Sequence, residues 1–271
     1  MKRVLLLCAG RGERWNNYLG IPKHLITIDG ERLVDRTVRL VRERTEDATV
    51  FIISFDPACE VAGTMRYEPE HGRGRFTDTD KFLSSADLWS PDDQTIVLYG
   101  DVFFTEAAMD TICSYAGEAF AFFGRPRPSQ CTGHLWQEMF ALVIPPASRE
   151  HLQRTMIEVR DMLDDKQIRR GGGWECYRHA CGLTPVCVYD VKSDVADHFV
   201  EIDDFTDDFD TPYDYEQWFW RYELYKHWRV GQAVNGTWFV GLTTSLLERN
   251  LPVNTKILRR FLIPAPAHFD E

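Results

Sequence analysis

Residues 5–25 read LLLCAGRGERWNNYLGIPKHL. A short continuous apolar run, Val4 to Cys8, ends in Ala9-Gly10, the pattern of a strand buried on both faces of a parallel sheet. The loop that follows holds Gly10, Arg11, Gly12 and Arg14, and Pro22-Lys23 closes the segment. Glycines let backbone N–H groups approach phosphate oxygens with no Cβ in the way. Arg14 and Lys23 can neutralise the charge that spreads over the α- and β-phosphates as a bond to pyrophosphate breaks. Two common phosphate loops are excluded. Trp15 stands where the dinucleotide fingerprint needs its third glycine, and no Gly-Lys-Ser/Thr follows.

Outward from this segment, strands and helices alternate. Residues 33–44 place Leu33, Val34, Thr37, Val38, Leu40 and Val41 at helical spacing. Residues 49–54 (TVFIIS) and 95–99 (TIVLY) read as buried strands, and 65–68 as a short one. Residues 80–88 read as a helix with Thr79 or Asp78 as N-cap, and 106–115 as a helix capped by Thr105. Over residues 1–115 this gives a βαβ, doubly wound half. Further on, 119–123 and 136–144 read as strands and 150–164 as a helix. Residues 169–174, with three glycines, read as a flexible loop, 186–191 as a strand, and 215–228 as an aromatic helix. Helices are expected at 242–248 and 255–263. The domain reading is 1–228, with a nucleotide half at about 1–118 and an acceptor half at about 119–228, followed by a helical extension at 229–271.

Two acidic positions extend the chemistry. Asp101 follows Gly100 just past the 95–99 strand, at the crevice where open sheets bind ligands. A carboxylate there can hold Mg²⁺ between phosphate oxygens and an incoming acceptor. Late in the chain, residues 206–215 read TDDFDTPYDY. Strand alternation puts Asp208 and Asp210 on one side, where two carboxylates suit a hard cation. Proline then starts a helix in its first turn, and Asp214 is expected to stabilise that helix N-terminus.

Together these segments resemble the sugar-phosphate and alcohol-phosphate nucleotidyltransferases, which include the MobA-like NTP transferases. The pattern strand–AGxGxR–PKxL carries the likeness, with His24 where the family usually has an apolar residue or proline. The resemblance implies one α/β domain with a Rossmann-like, GT-A-like mixed sheet flanked by helices. It puts the triphosphate on Ala9, Gly10, Gly12 and Arg14, with Cys8 and Arg11 in the same loop, and bridges it through Lys23. Gly100-Asp101 resembles the family's metal site. Residues 208–215 resemble the closing motif of cytidylyltransferases, with Tyr213 in the glutamate position, which carries a second metal ligand to Asp210 with Asp208 as partner. Residues 82–86, FLSSA, resemble the base- and ribose-reading stretch, making Thr79, Lys81 and Ser84 candidates. Arg73 and Arg75, on a glycine hinge, are candidates to fold over phosphates. The implied reaction is Mg²⁺-dependent transfer of a nucleoside monophosphate from an NTP, CTP by preference, to a phosphorylated small acceptor. Trp136, Gln137 and Glu138 are acceptor-side candidates by position alone.

Composition bounds these readings. The 271 residues, 44% hydrophobic, suffice for one large domain, and a net charge of −11 argues against a nucleic-acid partner. Seven scattered cysteines without a CxxC pair read as reduced thiols, so a cytoplasmic protein with no membrane span is expected. Cys176, His179, Cys181 and Cys187 match no familiar zinc spacing. The aromatic run from Tyr213 to Tyr225 reads as core or interface packing, including between copies of the chain, before it reads as a cage for a quaternary ammonium. Two other functions stay in view. A glycosyltransferase of the same fold would want a mid-chain DxD and leaves Pro22-Lys23 without a role. A nucleotide sensor would bind without turnover.

Overall fold

A computed structural model describes residues 1–69, 76–129, 131–189, 191 and 197–229. The expected helices at 242–248 and 255–263, and Arg73 and Arg75, lie outside the described residues. Met1–Trp218 forms one compact unit, and Phe219 opens a second.

The apolar run becomes β1 (Arg3–Leu7), an interior strand of a seven-stranded mixed sheet. Its side chains alternate between two cores. Val4, Leu6 and Cys8 join one cluster, and Leu5, Leu7 and Ala9 join the other. This two-sided burial is why the run shows no polar alternation. β4 (Thr49–Ile53) and β6 (Thr95–Tyr99) flank β1 in parallel, and β5 (Met65–Tyr67) pairs beyond β4. β9 (Glu138–Ile144) runs antiparallel to β6, then comes β8 (Ala121–Arg125), and β10 (Phe199–Glu201) completes the edge. The order is β10-β8-β9-β6-β1-β4-β5. Two short antiparallel pairs stand apart from it: β2 (Thr27–Ile28) with β3 (Glu31–Arg32), and β7 (Val102–Phe103) with β11 (Asp207–Asp208).

Helices cover both faces. α1 (Leu33–Arg44) and α3 (Glu106–Cys113) pack on the first cluster, and Thr105 caps α3 as expected. α2 (Asp78–Ser84), α4 (Arg149–Asp164) and α5 (Gly173–Ala180) pack on the second. α6 (Pro212–Arg229) follows β11.

The structure corrects three readings. α2 starts earlier than expected because Thr77, not Thr79 or Asp78, is the N-cap. Thr77 and Asp80 form a capping box, and only a 3₁₀ turn continues at Ala86–Leu88. The glycine loop at 169–174 ends by starting α5, whose Glu175 side chain accepts from Gly172 N at 3.1 Å. No strand forms at 186–189, where Val186 and Val188 stay exposed.

A buried ion pair sets the position of β11. Arg125 Nε donates to Asp207 Oδ1 at 2.7 Å, and Ser129 Oγ and Thr132 Oγ1 donate to Oδ2 at 2.7 and 3.2 Å. Asp207 is fully buried and Arg125 nearly so. Arg125→Met would leave that carboxylate without its counterion, at a cost of about 3–5 kcal/mol. Urea denaturation of the variant checks this.

Candidate active site

Strand pairing assembles the site from both ends of the chain. Leu7 at the end of β1 lies level with Tyr99 at the end of β6, so the glycine loop and Asp101 leave the sheet side by side. The late acidic motif is then zipped on. Asp208 pairs with Val102, and Phe209 N donates to Asp101 O at 3.0 Å. With Asp207 turned into the buried pair, strand parity sends Asp208 the other way. Asp208 and Asp210 therefore line the same cleft as Asp101, a cavity of about 640 Å³.

Gly10, Arg11, Gly12, Arg14, Lys23 and Lys81 line this cleft too. Cys8 and Ala9 face a smaller cavity of about 220 Å³, which shares Gly10, Gly12 and Lys23 with the cleft. The positive groups hold the negative ones. Arg14 grips Asp210 with both guanidinium nitrogens, at 2.6 and 2.7 Å. The nearly buried Lys23 ammonium pairs with Asp101 and lies 3.5 Å from Asp210. Burial opposes the Lys23 charge, but Asp101 and then Asp210 outweigh it and raise its pKa. Burial likewise opposes the Asp101 charge, yet Lys23, followed by His24, holds its carboxyl well below the usual range. His24 itself is lowered to about 4, chiefly by burial, so it is neutral near pH 7.

The remaining acids are frustrated. Burial, then Asp210 and Glu138, push Asp208 well above the ordinary carboxylate range. Burial raises Asp210 against the pull of Lys23. Glu138 is pushed up to about 7, first by burial, with Asp210 and Asp207 adding to it. Crowded hard oxygens of this kind fit a divalent cation. Among the described residues, no three acidic, imidazole or thiol groups converge to chelate one alone. Mg²⁺ is usually held by one or two carboxylates plus phosphate oxygens and waters. Asp101, Asp208 and Asp210 fit this role.

Three candidates are placed elsewhere. Thr79 is fully buried, and its hydroxyl donates to Gly171 O at 2.8 Å, so it ties α2 to the 169–172 loop instead of facing the cleft. Ser84 Oγ donates to its own helix at Lys81 O and does not line the cleft. Gly100 lies beneath the loop. A Cβ there would stand 2.7 Å from Leu7 O and collide with the Cys8 sulfur. Gly100→Ala is therefore expected to cost about 1–3 kcal/mol through overpacking, read as a lowered melting temperature. Asp214 accepts from Thr211 N and Oγ1 at 2.8 Å each, stabilising the start of α6, and lies 2.7 Å from His134 Nε2.

The cleft also holds residues that sequence reasoning missed. Asp78, Tyr99, Arg169, Arg170, Trp174 and Tyr189 line it. The Arg-Arg-Gly-Gly-Gly run at 169–173 was the available signal, since paired cations on glycines suit an anion-facing loop as well as a flexible one. Of the acceptor-side candidates, Glu138 lines the cleft. Gln137 is buried and bonds Val191 N and Glu201, and Trp136 is partly exposed.

No family model and no curated protein sequence matches the chain. Solved structures do. The inositol-1-phosphate CTP transferase from T. maritima superposes with a TM-score of 0.50 at 13% identity, covering 80% of this chain and 95% of that one. The CTP:phosphocholine cytidylyltransferase from Streptococcus pneumoniae gives a TM-score of 0.48 at 13% identity, covering 80% and 96%. At such identity the first likeness is one of fold alone: an α/β mixed sheet flanked by helices, the fold class expected from the sequence.

Proposed function

We propose that this cleft transfers a nucleoside monophosphate from an NTP, with CTP the preferred donor, to a phosphorylated small-molecule acceptor. An oxygen of the acceptor's phosphate attacks the α-phosphorus, the bond to the β-phosphate oxygen breaks, and pyrophosphate leaves. The supporting observation is the Arg14–Asp210–Lys23–Asp101 cluster at the mouth of the glycine loop. These side chains neutralise one another, which keeps the charged groups ordered. Arg14, Lys23 and the loop amides are then available to phosphate oxygens, and the carboxylates to a metal. Mg²⁺ held on Asp101 and Asp210, with Asp208 beside them, would offset repulsion between the nucleotide and the acceptor oxyanion.

The rest of the assignment follows from position. Residues 1–118 supply the nucleotide half and 119–228 the acceptor half, with 229–271 as an extension. The preference for CTP rests on the likeness of residues 208–215 to the cytidylyltransferase motif. Among the described residues no helix is long and apolar enough to cross a membrane. The test is pyrophosphate release on incubation with each NTP, Mg²⁺ and a panel of sugar 1-phosphates and alcohol phosphates. Release with one NTP and one acceptor class supports the reading. NTP binding without pyrophosphate from any acceptor would support the sensor instead.

A further inference from the structure

Lys81 and the 169–173 loop meet at one carboxylate. Lys81 projects from α2 toward the phosphate loop, its Nζ 3.9 Å from where a Cβ on Gly10 would stand. That ammonium lies 2.7 Å from Asp78 Oδ1. The other oxygen of the same carboxylate accepts from Gly173 N at 3.2 Å, at the first turn of α5. One residue along α2, Thr79 donates to Gly171 O through its backbone N at 3.0 Å and its hydroxyl at 2.8 Å. The first turn of α2 thus clamps the strap that carries Arg169 and Arg170 into the cleft. Asp80 takes no part, because it closes the capping box with Thr77.

We propose that Asp78 is a positioning residue that couples the triphosphate grip to the acceptor wall. The inference rests on reading the glycine loop as that grip. A triphosphate on Gly10 and Gly12 carries several negative charges within reach of Lys81 and competes with the single charge of Asp78. As Lys81 moves to the phosphates, Asp78 loses its strongest partner, and its charge is left to Gly173 N–H and the positive end of α5. The strap then seats more firmly, and Arg169, Arg170 and Trp174 are held in place for the acceptor. Linkage makes the effect reciprocal, so an acceptor that needs the seated strap tightens triphosphate binding by the same factor.

Amide hydrogen exchange of the peptide covering 169–176, in the full chain, tests this without knowledge of the acceptor. The probe is inorganic tripolyphosphate with Mg²⁺, and calorimetry measures its binding. Wild type is expected to gain protection in this peptide by several-fold at saturation. Lys81→Ala should show the higher protection without ligand and no response to it, because Asp78 then has no competitor. Asp78→Asn, which keeps an acceptor for Gly173 but has no charge for Lys81 or for the positive end of α5, should be unresponsive to tripolyphosphate. Asp78→Ala should be loose with and without tripolyphosphate. In turnover assays with the acceptor class found active, Asp78→Ala should raise KM for the acceptor several-fold more than KM for the NTP. Bound tripolyphosphate with unchanged wild-type exchange, or a Lys81→Ala strap that exchanges like wild type, would overturn the coupling and leave the grip standing. Absence of any binding heat would overturn both.

Discussion

Lys23→Ala is expected to lower nucleotidyl transfer at least about 10³-fold, the equivalent of roughly 4 kcal/mol of transition-state stabilisation. The ammonium is nearly buried and stands between Asp101 and Asp210. On the proposed function, it would follow charge from the α-phosphate to the departing pyrophosphate. Its removal also leaves two carboxylates facing each other, which costs stability. The pH dependence fixes the sign. Asp101 has a depressed folded-state pKa, so its contribution is present above the unfolded value near 4 and is lost as pH falls. Lys23 has a raised pKa, so its contribution is present below the unfolded value near 10.4 and is lost as pH rises through the folded one. Lys23→Ala lacks both, and its melting temperature should change less than that of wild type on acidification from pH 7 to 3. Millimolar Mg²⁺ should raise its melting temperature more than that of wild type, since the ion can take the place the ammonium left. Wild-type turnover in this variant would sink the assignment.

Local pattern made much of this site legible. A strand buried on both faces has to be apolar throughout, and β1 and β6 declared themselves that way. α1 matched its expected bounds, Leu33–Arg44, because its apolar positions recur at helical spacing. Gly10, Gly12 and Asp101 could be named because strand ends and glycines mark where a crevice opens, and Arg14 and Lys23 because cations beside such a loop suit phosphates. Asp208 and Asp210 were placed on one side by parity, and the structure adds what parity cannot say. It is the buried partner of Asp207, Arg125, that decides which side.

What stayed hidden depends on contacts between distant segments. α5 was concealed because its first residue, Gly173, belongs to a run of three glycines, and the helix is stabilised from outside by Asp78. Thr79 and Ser84 are polar residues near a phosphate loop, and only the packing shows that both hydroxyls are already engaged. The aromatic stretch entering α6 is likewise explained by packing. The Trp218 ring lies tilted 4.5 Å from Phe103 and meets Phe209 edge-on at 5.1 Å, which fastens the first turns of α6 to the β7–β11 pair beside the acids. A ligand cage would need those rings free.

Asp101→Asn separates a catalytic acid from a structural one. The substitution keeps the backbone carbonyl that receives Phe209 N, and Lys23 retains Asp210 as a partner, so the late motif should stay docked. Turnover with Mg²⁺ should nonetheless fall about 10³-fold or more, because the charge that would hold the ion against the α-phosphate is gone. Binding of tripolyphosphate without metal should move the other way. The cleft loses one negative charge while Arg14, Lys23 and Lys81 remain, and at an effective dielectric near 20 even a distant unit charge is worth about 1 kcal/mol, or several-fold in affinity. Calorimetry in EDTA reads the second effect, and pyrophosphate release reads the first. Opposite signs in the two assays are what a metal-holding carboxylate at the end of β6 requires. A parallel loss in both would mean that Asp101 only braces the loop.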